Sequence, residues 1–228
     1  MRRSFQTATT TILVLLPIFI ASAETIDRVV AVVNGHTLLL SEWDSAARRE
    51  ALLDHKSMES LTEASRRATL DRMIDQEVMR GEMENSSAPQ CTPHEVAVRL
   101  HEIREQHTNA TDDAAWNAIL QNYGVTEPEM EASVTMELNG LRLLDFRLRS
   151  SAQPDARQIE RYYRDTYQPA MRAKGAKPAA LPEVTPQIRE ILTQQKLGEL
   201  TTAWLLELRT QAEIHLNVSD DTGAPPKP

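Results

Sequence analysis

A short stretch near the C terminus alternates apolar and polar side chains. Ile214, Leu216 and Val218 are separated by two polar residues, which is the period of a half-exposed strand. A lone strand leaves its backbone hydrogen-bonding groups unpaired and therefore needs a neighbour. The other strand signals of this chain lie near its N terminus. We therefore expect the C-terminal stretch to pair with residues 29–33 in a small sheet, with Ile214 and Leu216 buried.

The N-terminal strand signal has the pattern of a β-hairpin. Residues 29–33 (VVAVV) and residues 37–40 (TLLL) are apolar runs, and Asn34-Gly35 lies between them. Both turn residues tolerate the positive φ angles that a type I′ turn requires. The pattern predicts two antiparallel strands joined by a tight turn.

The long region between these strands has helical periodicity. Aromatic residues make up only 4% of the chain, so the core must consist mainly of aliphatic side chains, which favours packed helices. Helices are predicted from Ser41 with Asp44 as its capping partner, over residues 62–83, from Thr92 to about residue 107, from residues 111–113 to Gly124, over residues 126–150 and 155–167, and from Pro186 to about residue 211. The predicted fold is mainly α, with a small β element formed by the hairpin and the C-terminal strand.

The helical pattern is interrupted at residues 168–186. This stretch contains four prolines and one glycine and is predicted to be an irregular linker. Residues 24–218 are then expected to form one core, with N-terminal helices over residues 24–167 and a C-terminal helix and strand over residues 187–218. The polar, proline-rich residues 219–228 are expected to form a flexible tail.

The first 23 residues have the pattern of a secretory signal peptide. Arg2 and Arg3 precede an apolar stretch at residues 12–20, and Ala21-Ser22-Ala23 fits a cleavage site. An uncleaved membrane anchor is the alternative, but the apolar stretch is shorter than the roughly 20 residues of a spanning helix. We expect export, cleavage after Ala23 and no stable membrane insertion of the mature chain.

Charge limits the classes of partner. The formal net charge is −8, and removal of residues 1–23 takes away two arginines and no acid, which leaves a more acidic mature chain. Proteins that bind nucleic acids need basic surface for the phosphates. We therefore expect no nucleic-acid partner.

The cysteine and histidine content does not indicate a metal site. Cys91 is the only cysteine, which excludes an intrachain disulfide. His94, His101 and His107 follow it, but the first two are separated by about 10 Å along a helix, too far to share a zinc ion. The sequence contains no nucleotide-binding, metalloprotease or nucleophile-elbow motif. We expect no metal, no cofactor and no catalytic residue.

Several segments resemble the SurA family of periplasmic chaperones. They are residues 26–35 (IDRVVAVVNG) with residues 40–44 (LSEWD), residues 70–77 (LDRMIDQE), residues 92–96 (TPHEV), residues 123–129 (YGVTEPE) and residues 188–214. Together these matches span most of residues 26–218. The resemblance implies a periplasmic, ATP-independent chaperone that binds unfolded or extended polypeptides, with outer-membrane protein precursors as its expected clients.

One part of the family pattern is missing. Typical members carry one or two parvulin-type prolyl isomerase domains, each of roughly a hundred residues, between the sixth helix and the C-terminal helix. Here only residues 168–182 fill that interval, and the sequence has no adjacent glycines for the parvulin loop. We therefore expect a protein without enzymatic activity.

Flexible thioether side chains suit surfaces that bind many different partners. The candidate peptide-binding residues are Met73, Met79, Met83, Met130, Met136 and Phe146. For each methionine, ordinary core packing is the alternative. A structural or assembly subunit with one fixed envelope partner is the alternative function, and the sequence leaves the oligomeric state open under either hypothesis.

The signal peptide generates the first prediction. The exported protein should begin at Glu24, because the cleavage pattern ends at Ala23. Intact-mass measurement of the protein purified from the exported fraction checks this. A mass that still includes residues 1–23 would show that the segment is retained.

Overall fold

The computed structural model describes residues 27–217, so the predicted signal peptide with its cleavage at Ala23 and the predicted tail lie outside the described residues. The elements are β1 Val29–Val33, β2 His36–Leu39, α1 Leu40–Leu53, a 3₁₀ turn Met58–Ser60, α2 Glu63–Glu84, α3 Pro93–Glu105, α4 Asp113–Tyr123, α5 Glu127–Leu148, α6 Ala156–Tyr162, a π-helical turn Tyr163–Tyr167, α7 Gln168–Ala173, α8 Leu181–Gln211 and β3 Ile214–Leu216. The predicted class, mainly α with a small β element, is confirmed.

The three strands form an antiparallel sheet in the order β2-β1-β3. Asn34 and Gly35 have φ angles of 50° and 83°, so both central residues of the hairpin turn are left-handed, as a type I′ turn requires. Val33 is paired with Ile214, and Ala31 with Leu216. The predicted hairpin and the predicted meeting of the two ends of the chain are confirmed.

The burial expected along β3 is only partly correct. Ile214 is half-buried and packs against the main core, but Leu216 is 54% exposed. The third strand is an edge strand that pairs with β1 at only three positions, and Leu216 lies at the last of them.

Most helix starts have the caps that the sequence predicts. Thr92 and Thr126 cap α3 and α5, and each makes a reciprocal capping box with the glutamate three residues later. Gly124, with φ 62°, ends α4 in the left-handed conformation. Capping boxes and glycine caps depend on neighbours within four residues, which is why they can be predicted from the sequence.

The first helix begins differently from the prediction. It starts at Leu40, and Glu42 accepts a hydrogen bond from the Leu39 N–H at 2.8 Å. The expected capping partner, Asp44, instead forms an ion pair with Arg66 of α2. The tight connection to β2 moves the N-cap two residues upstream, from Ser41 to Leu39, so the acid at the third helical position is Glu42.

Two separate sets of buried side chains hold the helices. The main core lies under the sheet and joins it to α2, α5 and α8; its members include Val30, Val33, Leu70, Ile74, Leu143, Trp204 and Leu208. The second core lies between α1, α3, α4 and α5; its members include Leu52, Val96, Ile103, Trp116, Leu120, Met130 and Val134. The fifth helix contributes to both cores, as its wide apolar surface requires.

The predicted irregular linker is largely helical. Residues 168–173 continue α6 through the π-helical turn, and α8 begins at Leu181 and not at Pro186. Pro169 lacks an N–H, and its ring would clash with the carbonyl four residues earlier in a regular α-helix; the wider π turn that precedes it relieves this clash.

A third buried cluster explains why α8 starts early. Val184 and Ile188 pack against Ile159 of α6, and Tyr163 donates a hydrogen bond to the Ala179 carbonyl at 2.8 Å. Burial of these side chains stabilises a helical turn that proline alone would disfavour. Within residues 27–217, no helix combines the length and the apolar character needed to cross a bilayer.

The pairing of β3 generates the second prediction. Deletion of residues 212–228 should lower the free energy of unfolding by about 2–4 kcal/mol, because it removes the half-buried Ile214 and the hydrogen bonds of β3 to β1. Such a loss corresponds to a fall of roughly 5–15 °C in melting temperature. The control is deletion of residues 219–228 alone. Equal melting temperatures for the two truncated proteins would contradict a stabilising role for β3.

Candidate functional site

Two adjoining clefts run along α5. The first, of about 500 Å³, lies between α1, α2 and the N-terminal half of α5, and its lining includes Leu38, Ser45, Arg49, Met73, Gln76, Glu77, Glu129, Ser133 and Met136. The second, of about 690 Å³, lies between the C-terminal end of α2 and α5, and its lining includes Arg80, Met83, Glu84, Gln90, Glu131 and Asn139. Ala132 and Met136 line both. We call the two clefts together the methionine groove.

Three of the predicted residues line this groove. Met73, Met83 and Met136 are each half-buried, so their thioether groups form its walls and remain in contact with solvent. Met73 and Met83 also pack against the main core. Unbranched thioether side chains can adopt several conformations at little cost, so the walls can adapt to different side chains.

Met79 of α2 faces Gly140 of α5. Its Cε is 3.0 Å from the position that a Cβ on Gly140 would occupy. Glycine therefore allows the two helices to approach each other at this point. Met79 is half-buried and supports the spacing of the helices without lining either cleft.

The prediction for Met130 is wrong. Its side chain is 1% exposed and belongs to the second core, because it lies on the face of α5 that packs against α1, α3 and α4. A buried side chain cannot contact a peptide without unfolding of the core. For Met130, the alternative interpretation as core packing is the correct one.

Phe146 lies on a different surface. It is 58% exposed and lines a cleft of about 670 Å³ between α5 and α8, together with Leu141, which is 55% exposed. The structure therefore separates the predicted set into the methionine groove, the core residue Met130 and this second apolar surface.

The methionine groove lies in a part of the chain that matches a known protein family. The family model described as SurA-like N-terminal domain matches residues 1–144. The chain belongs to the SurA-like N-terminal domain family. No curated protein matches the chain. The family is a chaperone-like, periplasmic one, and its matched range contains every residue of the methionine groove.

A polar cluster in this SurA-like domain was missed by the sequence analysis. The Ser45 hydroxyl of α1 donates to Oε1 of Glu129 on α5 at 2.7 Å, and Nη1 of Arg49 donates to Ser45 Oγ at 3.0 Å. Oε2 of Glu129 accepts from the N–H and the hydroxyl of Thr126, both at 2.7 Å. Glu129 thus caps its own helix and also links α5 to α1.

The electrostatics of the cluster follow from these contacts. Hydrogen bonds from Ser45 and Thr126, helped by the positive charge of Arg49, hold the pKa of the Glu129 carboxyl below its ordinary value. Burial lowers the pKa of Arg49, and the nearby carboxylates of Glu129 and Glu50 oppose this effect. The cluster is therefore a charged, partly desolvated link in the wall of the first cleft.

The other carboxylates of the first cleft are also engaged. Glu77 is only 9% exposed, and its Oε1 accepts from Nη2 of Arg80 at 2.6 Å. Its Oε2 lies 3.4 Å from His36 Nδ1. Glu42 accepts from the Leu39 N–H. The first cleft therefore combines two thioether side chains with polar side chains, several of which are engaged by neighbours. This combination suits non-covalent binding of extended chains.

Cys91 and the histidines that follow it are not clustered. The Cys91 Sγ lies 3.8 Å from the Thr135 carbonyl oxygen, and His101 lies 3.3 Å from Glu105 on the same helix. His107 packs against His55 and Trp116. In residues 27–217, no group of three or more His, Cys, Asp or Glu side chains has an arrangement that would hold a metal ion.

The lowered pKa of Glu129 generates the third prediction. A carboxyl group whose pKa is lower in the folded than in the unfolded chain stabilises the fold at pH values above its unfolded pKa, near 4.5. This contribution to stability is lost as the pH falls through the folded pKa. Glu129→Gln should therefore reduce the free energy of unfolding at pH 7 by about 1 kcal/mol. The difference from the unmodified protein should shrink below pH 4.5.

Urea unfolding at a series of pH values measures this difference. Glu131→Gln, an exposed glutamate on the same helix, is the matched control and should leave stability at pH 7 nearly unchanged. The role of the ionised carboxylate would be contradicted if the two proteins differed in free energy of unfolding by the same amount at pH 7 and at acid pH.

Proposed function

We propose that this protein is a periplasmic, ATP-independent chaperone that holds unfolded polypeptides, outer-membrane protein precursors among them, in the methionine groove. The observation that carries the proposal is the position of Met73, Met83 and Met136 along two adjoining open clefts, inside the range matched to the SurA-like N-terminal domain.

The dimensions of the groove support this function. Clefts of about 500 and 690 Å³ fall in the range that protein pockets use for ligands. They share Ala132 and Met136, so one extended segment can lie across both. An extended chain advances about 3.3 Å per residue and places alternate side chains on opposite sides, which allows apolar side chains to enter the groove at intervals.

The walls of the groove favour breadth over specificity. Methionine offers a polarizable surface without a fixed shape, so its contacts can adjust to aromatic or aliphatic side chains. The supporting backbone is held by capped helices and by the close approach of α2 and α5 at Gly140. A rigid scaffold with adaptable side chains suits capture of many different unfolded segments.

Charge is a minor contributor in this proposal. The chain is acidic, and the carboxylates of the first cleft are held by local donors, with Arg80 on Glu77 and Thr126 on Glu129. Long-range attraction is screened within about 10 Å at ordinary salt. Capture of near-neutral clients should therefore depend on burial of apolar surface and change little with ionic strength.

A second surface favours a different function. The cleft between α5 and α8 presents Leu141 and Phe146 to solvent, and exposed apolar surface of this kind is typical of protein interfaces. A structural or assembly subunit with one fixed envelope partner would use this surface. Such a subunit would co-purify with one protein and would not protect unrelated clients.

The methionine groove generates the fourth prediction. The folded protein, in molar excess, should suppress light scattering when a chemically denatured β-barrel protein is diluted from denaturant, equally at low and physiological salt. The double variant Met83→Gln/Met136→Gln should need roughly tenfold more protein for the same suppression, because two apolar contacts of about 0.5–1 kcal/mol each are weakened.

The chain offers a matched control. Met58→Gln/Met171→Gln changes two half-buried methionines that do not line the groove and should suppress aggregation like the unmodified protein. Unchanged aggregation in the presence of the unmodified protein would overturn the chaperone proposal. If Leu141→Ser/Phe146→Ser removes the activity and the groove variant retains it, the functional surface is the cleft between α5 and α8.

A further inference from the structure

Arg49 is an unusual residue in the wall of the first cleft. It is half-buried on α1, and a guanidinium group has five N–H donors. Within residues 27–217, its hydrogen bonding consists of one bond, from Nη1 to Ser45 Oγ at 3.0 Å. A guanidinium group that lines a cleft and has few protein partners is a candidate for ligand binding.

The carboxylates around Arg49 are bound elsewhere. Oε1 of Glu129 accepts from Ser45, and Oε2 accepts from Thr126. Glu50 accepts from Arg72 Nε at 2.7 Å. These acids favour the charged state of Arg49 through their proximity, but within the described chain neither forms an ion pair with it. The donors of Arg49 are therefore available to a molecule in the cleft.

The charge balance indicates what kind of acceptor fits. Glu42, Glu77 and Glu129 line the same cleft as Arg49, so a bound carboxylate would meet nearby negative charges. A neutral carbonyl oxygen carries only a partial negative charge, so these carboxylates would repel it much less. The main chain of an extended polypeptide supplies carbonyl oxygens regularly along its length, whatever its side chains are.

We propose that Arg49 is a binding anchor that donates hydrogen bonds to main-chain carbonyl oxygens of the extended segment held in the methionine groove. The inference rests on the proposed function. It assigns sequence-independent recognition to Arg49 and adaptation to side chains to Met73 and Met136. A folded client does not present these carbonyl oxygens, since its own secondary structure uses them, so Arg49 also favours unfolded over folded chains.

This role predicts different effects on binding and stability. Replacing Arg49 by methionine keeps a similar side-chain length and removes both the partly desolvated charge and its attraction for Glu129. These two effects oppose each other, so the melting temperature should change little. A residue whose purpose is to hold α1 against α5 would instead lose stability on replacement. The two roles are therefore separated by measuring the melting temperature together with peptide affinity.

The experiment measures binding of a fluorescent, uncharged peptide rich in aromatic and apolar residues, with both ends blocked. Arg49→Met should weaken binding about tenfold or more, and Arg49→Lys about threefold, since lysine keeps the charge but not the planar set of donors. Arg48→Met is the matched control, because Arg48 Nη1 points toward α4, 2.8 Å from the position of a Cβ on Gly124. It should leave affinity unchanged.

A second peptide identifies the acceptor. Replacing central amides by esters weakens the carbonyl acceptors, and this should reduce the affinity of the unmodified protein but have little effect on the Arg49→Met variant. If a free C-terminal carboxylate is instead required for the effect of Arg49, the ligand is a chain end and the main-chain assignment is wrong.

The remaining outcomes are distinguishable. Failure of the unmodified protein to bind the blocked peptide would contradict the proposed function itself. Normal binding that Arg49→Met leaves unchanged would overturn the anchor alone. A fall in melting temperature that accompanies the loss of affinity would assign Arg49 a structural role and would also overturn the anchor.

Discussion

The pairing of β3 with β1 joins the two ends of the chain, and the position of α8 depends on it. The Asn34 N–H donates to the Glu213 carbonyl at 2.9 Å, and the Asn34 side-chain oxygen accepts from the Glu213 N–H at 2.9 Å. The hairpin turn therefore both folds β1 onto β2 and fixes the start of β3. Because α8 ends only two residues before Glu213, its C-terminal end is held beside the sheet.

Once α8 is placed, it holds the helices that form the groove. Arg209 donates to the Asp75 side chain of α2 at 2.5 Å and to the Asp71 carbonyl at 2.7 Å. The guanidinium carbon of Arg147 on α5 lies 4.9 Å from the centre of the Trp204 ring of α8, a cation–π geometry. Both walls of the second cleft are thus attached to one long helix, so the width of the groove depends on contacts far from it.

The features that the sequence predicted correctly are mostly local. The Asn34-Gly35 turn and the Thr92 and Thr126 caps depend on residues within four positions, and their geometry leaves few alternatives. The closure by β3 was a longer-range inference, and it succeeded because a strand must find a partner and only one region offered one. The linker prediction is wrong because the four prolines and one glycine of residues 168–186 indicate a break, whereas the π turn before Pro169 accommodates this proline.

The groove itself could be predicted only in part. Methionine content indicated an adaptable surface, but which face of α5 each methionine occupies depends on the packing of both cores, and this placed Met130 inside and Met136 in the groove. The contact of Ser45 with Glu129 joins residues 84 positions apart, and a serine and a helix-capping glutamate carry no signal that they meet. Glu129 lies at the start of a predicted helix, and its contact with Ser45 forms only after folding.

In the methionine groove, the backbone is rigid and the methionine side chains are adaptable. Backbone positions are held by capping boxes, by Gly140 against Met79 and by the link between α1 and α5. Thioether groups with several accessible conformations lie among the polar side chains of its lining. A groove whose backbone also moved would lose more conformational entropy on each binding event and would bind less tightly. Under the proposed function, a fixed backbone with free side chains limits the entropic cost of binding to side-chain ordering. The proposed broad recognition then does not require a flexible fold.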